Sequence, residues 1–253
     1  MGRPMLFLRL EGPLQAWGTR SRWDVRDTGL EPTKSGIVGL LGCALGYARG
    51  DLRLEKELDA GLCMGVRIEH PGTVMEDFQT ITDFLPTADG RYKHSGVKTA
   101  TSLTKLRENS DATPATIISP RQYLEDAAFL VALGETGIVP GLLARCAAAL
   151  HTPRWPLFLG RKACVPARPI FGELTEAYLD LLDALTRCPW SWSGARMLPR
   201  ETVPQYLDIC WEADDGAYLR QDAVRVNATR QYAFRRVQYA RITCPPTMQE
   251  VQG

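Results

Sequence analysis

Apolar positions along this chain follow two rhythms. Met5-Leu6-Phe7-Leu8-Arg9-Leu10, Leu62-Cys63-Met64-Gly65-Val66-Arg67-Ile68-Glu69 and Ala127-Ala128-Phe129-Leu130-Val131-Ala132-Leu133 are short, nearly continuous apolar runs. Gly12-Pro13 closes the first and His70-Pro71-Gly72 the second, so these runs predict core strands. Ile37 to Tyr47 and Ile138 to Leu150 instead repeat their apolar residues at three- and four-residue steps and predict buried helices. Ser35 is placed to cap the first, whose glycines allow close approach to a sheet, and His151-Thr152-Pro153 stops the second. A short polar helix is expected at Leu52 to Leu58, and a fourth strand at Trp155 to Leu159, running into Gly160-Arg161-Lys162.

The order strand, helix, strand, strand, helix, strand is the ferredoxin-like order that RRM domains also use. Between the second and third strands lies a stretch from about Val74 to Leu124, far too long for a hairpin loop, which is read as an extended β-hairpin arm. Pro166, Pro169 and Gly172 punctuate a boundary. A helix Leu174 to Leu185 and strands at Tyr206 to Trp211, Ala217 to Val226 and Tyr232 to Cys244 are expected after it. The expected fold class is α+β: a ferredoxin-like, RRM-like N-terminal domain over 1–165, with a thumb insertion at about 74–124, and a small, mainly β C-terminal domain over 166–253.

Composition narrows the function. The 253 residues, 45% of them hydrophobic, can bury a sizeable core. No stretch has the length and apolarity of a membrane span or the flanks of a signal peptide, so a cytoplasmic protein with no membrane partner is expected. Seven widely spaced cysteines without a CxxC pair signal neither a disulfide frame nor a zinc site, and three scattered histidines signal no metal enzyme. No cofactor is expected. Net charge is only +1, yet residues 91–107 and 154–168 hold lysines and arginines with no acid, and 220–241 hold six arginines against Asp222. Local basic surfaces on a nearly neutral chain suit one polyanion held in a defined groove, although each cluster can equally be a solvated face. No RNP1-like aromatic motif is present, so single-stranded RNA would be held by loops and arm rather than by a sheet-face stack.

Three loops carry candidate chemistry. Pro32-Thr33-Lys34-Ser35-Gly36 feeds a helix N-terminus, where backbone N–H groups and the Lys34 ammonium could seat a phosphate. The same loop can be only a cap with a solvated lysine. It is not a Walker A motif, because the required glycine five residues before Gly-Lys-Ser/Thr is missing. Gln15, Trp17 and Arg20 open a polar, basic loop that offers a stacking ring and phosphate donors. Arg161 and Lys162 follow the expected fourth strand.

Taken together, Leu10 to Gly18, Pro32 to Gly36 with Gly39-Leu40-Leu41-Gly42, Tyr123 to Phe129 and Leu159 to Cys164 resemble the Cas-five family of the type I-E CRISPR surveillance complex, Cascade. The motifs fall in order across residues 5–165, while the C-terminal third matches in general character. The resemblance implies a non-catalytic subunit in antiviral defence that binds the 5′ handle of the CRISPR RNA and caps one end of the backbone. It also implies a CasC-type backbone subunit and a CasA-type large subunit as partners, with target DNA reached indirectly. Lys34, Ser35, Gly36, Arg161 and Lys162 would then hold handle phosphates, with Gln15, Trp17 and Arg20 beside them, and Lys98, Lys105 and Arg107 would meet RNA along the arm. Ala163 stands where the family leads one to expect a hydroxyl residue. A related branch cleaves precursor RNA with Tyr, Lys and His, which makes a metal-independent endoribonuclease the alternative. Tyr92-Lys93-His94 supplies those types, but consecutive residues of an extended arm point to opposite faces.

Overall fold

The computed structural model describes residues 2–19, 26–87, 89–94, 98–192, 203–226 and 232–247. The three apolar runs are strands β1 (Arg3–Glu11), β3 (Leu62–His70) and β9 (Ala128–Glu135). They lie side by side with β9 in the middle, in antiparallel registers that include Phe7↔Ala132 and Val66↔Val131. Their lack of polar alternation has a physical cause. Leu6, Leu8, Leu10, Met64, Val66, Phe129, Val131 and Leu133 share one core with helices α1 (Lys34–Leu45) and α3 (Leu142–His151). Met5, Phe7, Leu130 and Ala132 share a second core with α4 (Leu181–Arg187). Strands covered on both faces have no wet side for polar residues, and each fully buried Leu or Phe contributes roughly 1.5–3 kcal/mol.

Four further strands complete a seven-stranded sheet in the order β10-β1-β9-β3-β11-β13-β12. They are β10 (Phe171–Tyr178), β11 (Tyr206–Glu212), β12 (Tyr218–Ala223) and β13 (Ala233–Thr243), and every neighbouring pair is antiparallel. The protein is therefore an α+β fold built on an antiparallel sheet. Strand β10 pairs with β1 and β11 with β3, so the sheet crosses the boundary expected at residue 165.

Two expected elements are corrected. Trp155 to Leu159 is a loop, held by Leu159 N–H on Cys164 O at 2.8 Å and turned by Gly160 at φ 93°. The helix expected from Leu174 to Leu185 is two elements, β10 and then α4. Asp180 caps α4 by accepting from the Asp183 N–H, so a helix start lies inside what reads as one helix. Ladder bonds to β1 override the local helical spacing in β10. The cap of α1 is also shifted: Thr33, not Ser35, accepts the Gly36 N–H at 3.2 Å, and Gly46 ends the helix in the left-handed region.

The stretch between β3 and β9 is a ribbon. β4 (Thr73–Asp83) pairs with β8 (Ala115–Glu125) from Thr73↔Glu125 to Asp83↔Ala115, and the short β2 (Leu14–Gln15) flanks β8 at the base. Eleven residues at about 3.4 Å each carry the ribbon roughly 35 Å. Beyond it lie a small sheet of β5 (Leu85–Pro86), β6 (Tyr92–His94) and β7 (Lys98–Ala100), and helix α2 (Leu103–Glu108). Leu106 and Ala115 are buried there. All seven cysteines are free, and among the described residues no helix is long and apolar enough to cross a membrane.

Candidate nucleic-acid interface

The entrance to α1 places Lys34 where a phosphate was expected, but the chain fills the position itself. The Lys34 N–H donates to Asp222 Oδ2 at 3.0 Å, and its ammonium donates to Glu212 Oε2 at 3.1 Å with only 7% of the side chain exposed. Arg235 grips Asp222 through two bonds of 2.6 and 2.9 Å, and Arg220 pairs with Glu31. The positive end of the helix thus faces the chain's own carboxylate. This corrects the expectation that Lys34 presents a free ammonium. Burial alone would push Asp222 up, but the hydrogen bonds and charge of Arg235, with Arg220, hold its carboxyl below the usual range. Burial pushes Glu212 up despite Lys34 and Arg235, and pushes Glu31 up despite Arg220. Ser35 and Gly36 are half-buried, and the Ser35 hydroxyl donates to Thr33 Oγ1 at 3.3 Å.

Gln15 and Trp17 are interior residues. Gln15 Nε2 donates to Leu10 O and Ala127 O, and its Oε1 accepts from Trp17 Nε1 at 3.1 Å. Trp17 is 1% exposed, and a Cβ on Gly36 would sit 2.9 Å from its ring. The indole is therefore no stacking platform, and Gln15 has no free polar group to offer. Arg161 is likewise engaged: its guanidinium donates to Gln122 O at 2.8 Å, Arg26 O at 3.0 Å and Asp27 O at 2.8 Å, and it lies over the Tyr123 ring. It clamps the basic loop to the arm base rather than pointing at a ligand. Gly160 holds this loop against Ala16, since a Cβ there would fall 1.8 Å from Ala16 O. Lys162, one residue on, is exposed. Arg20 lies outside the described residues.

The arm turns its charge outward. Lys105 and Arg107 are exposed on α2, and Lys98 lies in β7. Strand geometry sets Tyr92 and His94 on one side of β6 and Lys93 on the other, so the three do not converge. In the arginine-rich segment 220–241, by contrast, four of the described arginines pair with carboxylates: Arg225 meets Glu55 at 3.2 Å and Arg241 meets Asp208 at 2.7 Å, in addition to Arg220 and Arg235 above, while Arg236 donates to Gly216 O. The α4 side of the sheet is covered too. Arg67, wholly buried, pairs with Glu69 and donates to Leu185 O and Cys188 O at the end of α4, and Trp190 Nε1 donates to Glu69 O.

Sequence reasoning missed the apolar side of the arm. Phe78, opposite Pro120, and Ile118, opposite Thr80, share one ribbon face and are 63% and 51% exposed. No apolar alternation announces it, because Glu76 and Thr80, which share the face of Phe78, are polar. Among the described residues no group of three or more His, Cys, Asp or Glu side chains is placed to hold a metal ion.

The described residues form a helix-backed antiparallel sheet that sends out one long ribbon carrying exposed cations, an α+β architecture. The CRISPR-associated protein (Cas_Cas5) family matches residues 5–245, and the chain belongs to that family. It is similar to the CRISPR system Cascade subunit CasD of Escherichia coli (strain K12), with 33% identity over 179 residues, 69% of this chain and 73% of the relative. A solved structure described as a crystal structure of a Cas protein superposes with a TM-score of 0.64 at 34% identity, covering 96% of this chain and 98% of its own. A chain of a CRISPR RNA-guided surveillance complex does so with a TM-score of 0.67 at 26% identity, covering 95% and 91%.

Proposed function

We propose that the chain is an RNA-binding scaffold subunit of a Cascade-type CRISPR surveillance complex, one that holds the 5′ handle of the CRISPR RNA and caps one end of the backbone without cutting RNA. The observation that carries this reading is the arm: a ribbon ending in exposed Lys105 and Arg107, with no acid from 91 to 107, on a chain of net charge +1. Charge concentrated on one extended element binds a polyanion locally, where an evenly neutral surface would not. On this reading β1, α1, β3, β9, α3 and β10, with sheet order β10-β1-β9-β3, form a ferredoxin-like unit of the RRM type. Lys98, Lys105, Arg107 and Lys162 meet phosphates, while Lys34, Gln15, Trp17 and Arg161 hold the shape of the loops.

The exposed Phe78 and Ile118 suit a protein neighbour, the CasC-type backbone subunit, since a contiguous apolar strip left in water marks a contact surface. A CasA-type large subunit is the second partner, target DNA is reached through the complex, and the setting is the cytoplasm. The separation of Lys93 from Tyr92 and His94 supports a non-catalytic role. The test is to purify tagged protein from cells expressing CRISPR RNA, sequence the 5′ ends of the bound RNA, and incubate pure protein with repeat RNA without divalent metal. Uniform 5′ ends and intact repeat RNA are expected. Scattered ends would overturn handle capping, and cleavage abolished by His94→Ala would overturn the non-catalytic assignment.

A further inference from the structure

The outer side of α1 carries a glycine that the fold does not explain. Gly42 is accounted for by packing, since a Cβ there would fall 2.4 Å from Leu54 Cδ2. A Cβ on Gly39 would meet no atom within 4 Å, although glycine is among the weakest helix formers. The open space over Gly39 is part of a cleft of about 380 Å³, within the roughly 300–1,000 Å³ typical of small-ligand sites.

The cleft has two chemistries. Val38, Leu54 and Val224 give it apolar walls, and Tyr232, 45% exposed, lines it as well. Arg49 and Arg225 supply two exposed guanidiniums. Arg49 has no carboxylate partner among the described residues. Arg225 pairs with Glu55 at 3.2 Å with about half of its side chain exposed, and pairs of that kind hold weakly enough to exchange for a phosphate. The wall itself is fixed: the Val224 N–H donates to Asp59 Oδ1 and the Val226 N–H to Glu55 Oε2, both at 2.8 Å. Ser35 also lines the cleft. The next residue, Gly36, backs onto Trp17, and Gly160 of the Lys162 loop backs onto Ala16, so cleft and loop adjoin the same segment.

We propose that this cleft seats one unpaired nucleotide of the bound RNA, its base in the apolar slot over Gly39 beside Tyr232 and its phosphate at Arg49 and Arg225. An apolar slot beside an aromatic ring suits the face of any base, and paired guanidiniums suit the phosphate that follows it. The proposal rests on the RNA-binding reading above and adds a second contact region to it, away from the arm.

The test compares Gly39→Ala with Gly39→Leu. Both remove a weak helix former, so both fold, but only leucine fills the slot. Fluorescence anisotropy with labelled 5′-handle RNA should show Gly39→Ala binding like the parent and Gly39→Leu binding roughly five- to hundredfold more weakly, the range of one lost stacking contact. Arg49→Ala should lower the slope of log K against log salt by about one. If the parent binds handle RNA and Gly39→Leu binds equally well, the cleft assignment falls while the RNA-binding reading stands. If the parent does not bind, both fall. Unchanged RNA affinity with failed assembly onto partner subunits would make the cleft a protein socket and overturn the proposal.

Discussion

At the entrance to α1, Lys34, Arg220 and Arg235 point inward onto Glu212, Glu31 and Asp222; at the end of the arm, Lys105 and Arg107 stand in solvent. Both regions are rich in cations along the chain, and they have opposite physical roles. In the first, the buried cations are compensated by carboxylates, Glu212 for the Lys34 ammonium, while Asp222 takes the Lys34 backbone N–H and the Arg235 guanidinium, so the network ties β11, β12 and β13 to the helix. In the second, Glu108 and Asp111 lie close in sequence, but neither forms an ion pair with Lys105 or Arg107 among the described residues, so the side chains keep their water and their charge remains available to a polyanion. Cation density alone therefore does not mark a nucleic-acid site. On the proposed function, the mark would be cations left without an ion-pair partner.

Lys34 and Lys105 differ most in what their loss removes. Lys34→Ala leaves Glu212 buried without its ammonium, and removing one partner of a buried pair costs about 3–5 kcal/mol. Urea denaturation should show that loss, whereas Lys105→Ala should stay within about 0.5 kcal/mol of the parent, as surface substitutions do. A Lys34→Ala protein of unchanged stability would mean that the inward network is not structural. A smaller effect is expected at Arg161. Arg161→Ala removes charge-assisted bonds to the carbonyls of Gln122, Arg26 and Asp27, each worth at most about 1.5–3 kcal/mol and partly replaceable by water at this half-exposed position. Its Tm should fall by less than that of Lys34→Ala, and amide exchange should quicken at Arg26 and Gln122, whose N–H groups bond across the joint the guanidinium clamps. Unchanged exchange there would place Arg161 with the outward cations instead.

These two regions also show what the chain makes legible. Strands β1, β3 and β9 and helices α1 and α3 can be read directly because burial on two faces, or on one helical stripe, imposes a pattern on neighbouring residues. The arm can be read from the distance between two strands that must pair. Strand β10 cannot, because its ladder to β1 comes from a segment more than 150 residues away and overrides local helical spacing. The same limit applies to the site. Lys34 and Glu212 are separated by 178 positions, and no local pattern announces their pairing. Gln15 and Trp17 look like ligand-binding residues by type, yet carbonyls of Leu10 and Ala127 turn them into core. Lys105, Arg107 and Lys162 remain candidates because they are exposed and belong to the stretches 91–107 and 154–168, whose lack of acids is local information.

On the proposed function, RNA is held by the outward cations and not by the inward ones. The most direct test is the salt dependence of 5′-handle RNA binding by the variant Lys105→Ala/Arg107→Ala/Lys162→Ala, with its Tm measured alongside. The predicted result is weaker binding, a slope of log K against log salt shallower by about two to three, and an unchanged Tm. A slope and affinity equal to those of the parent would contradict it.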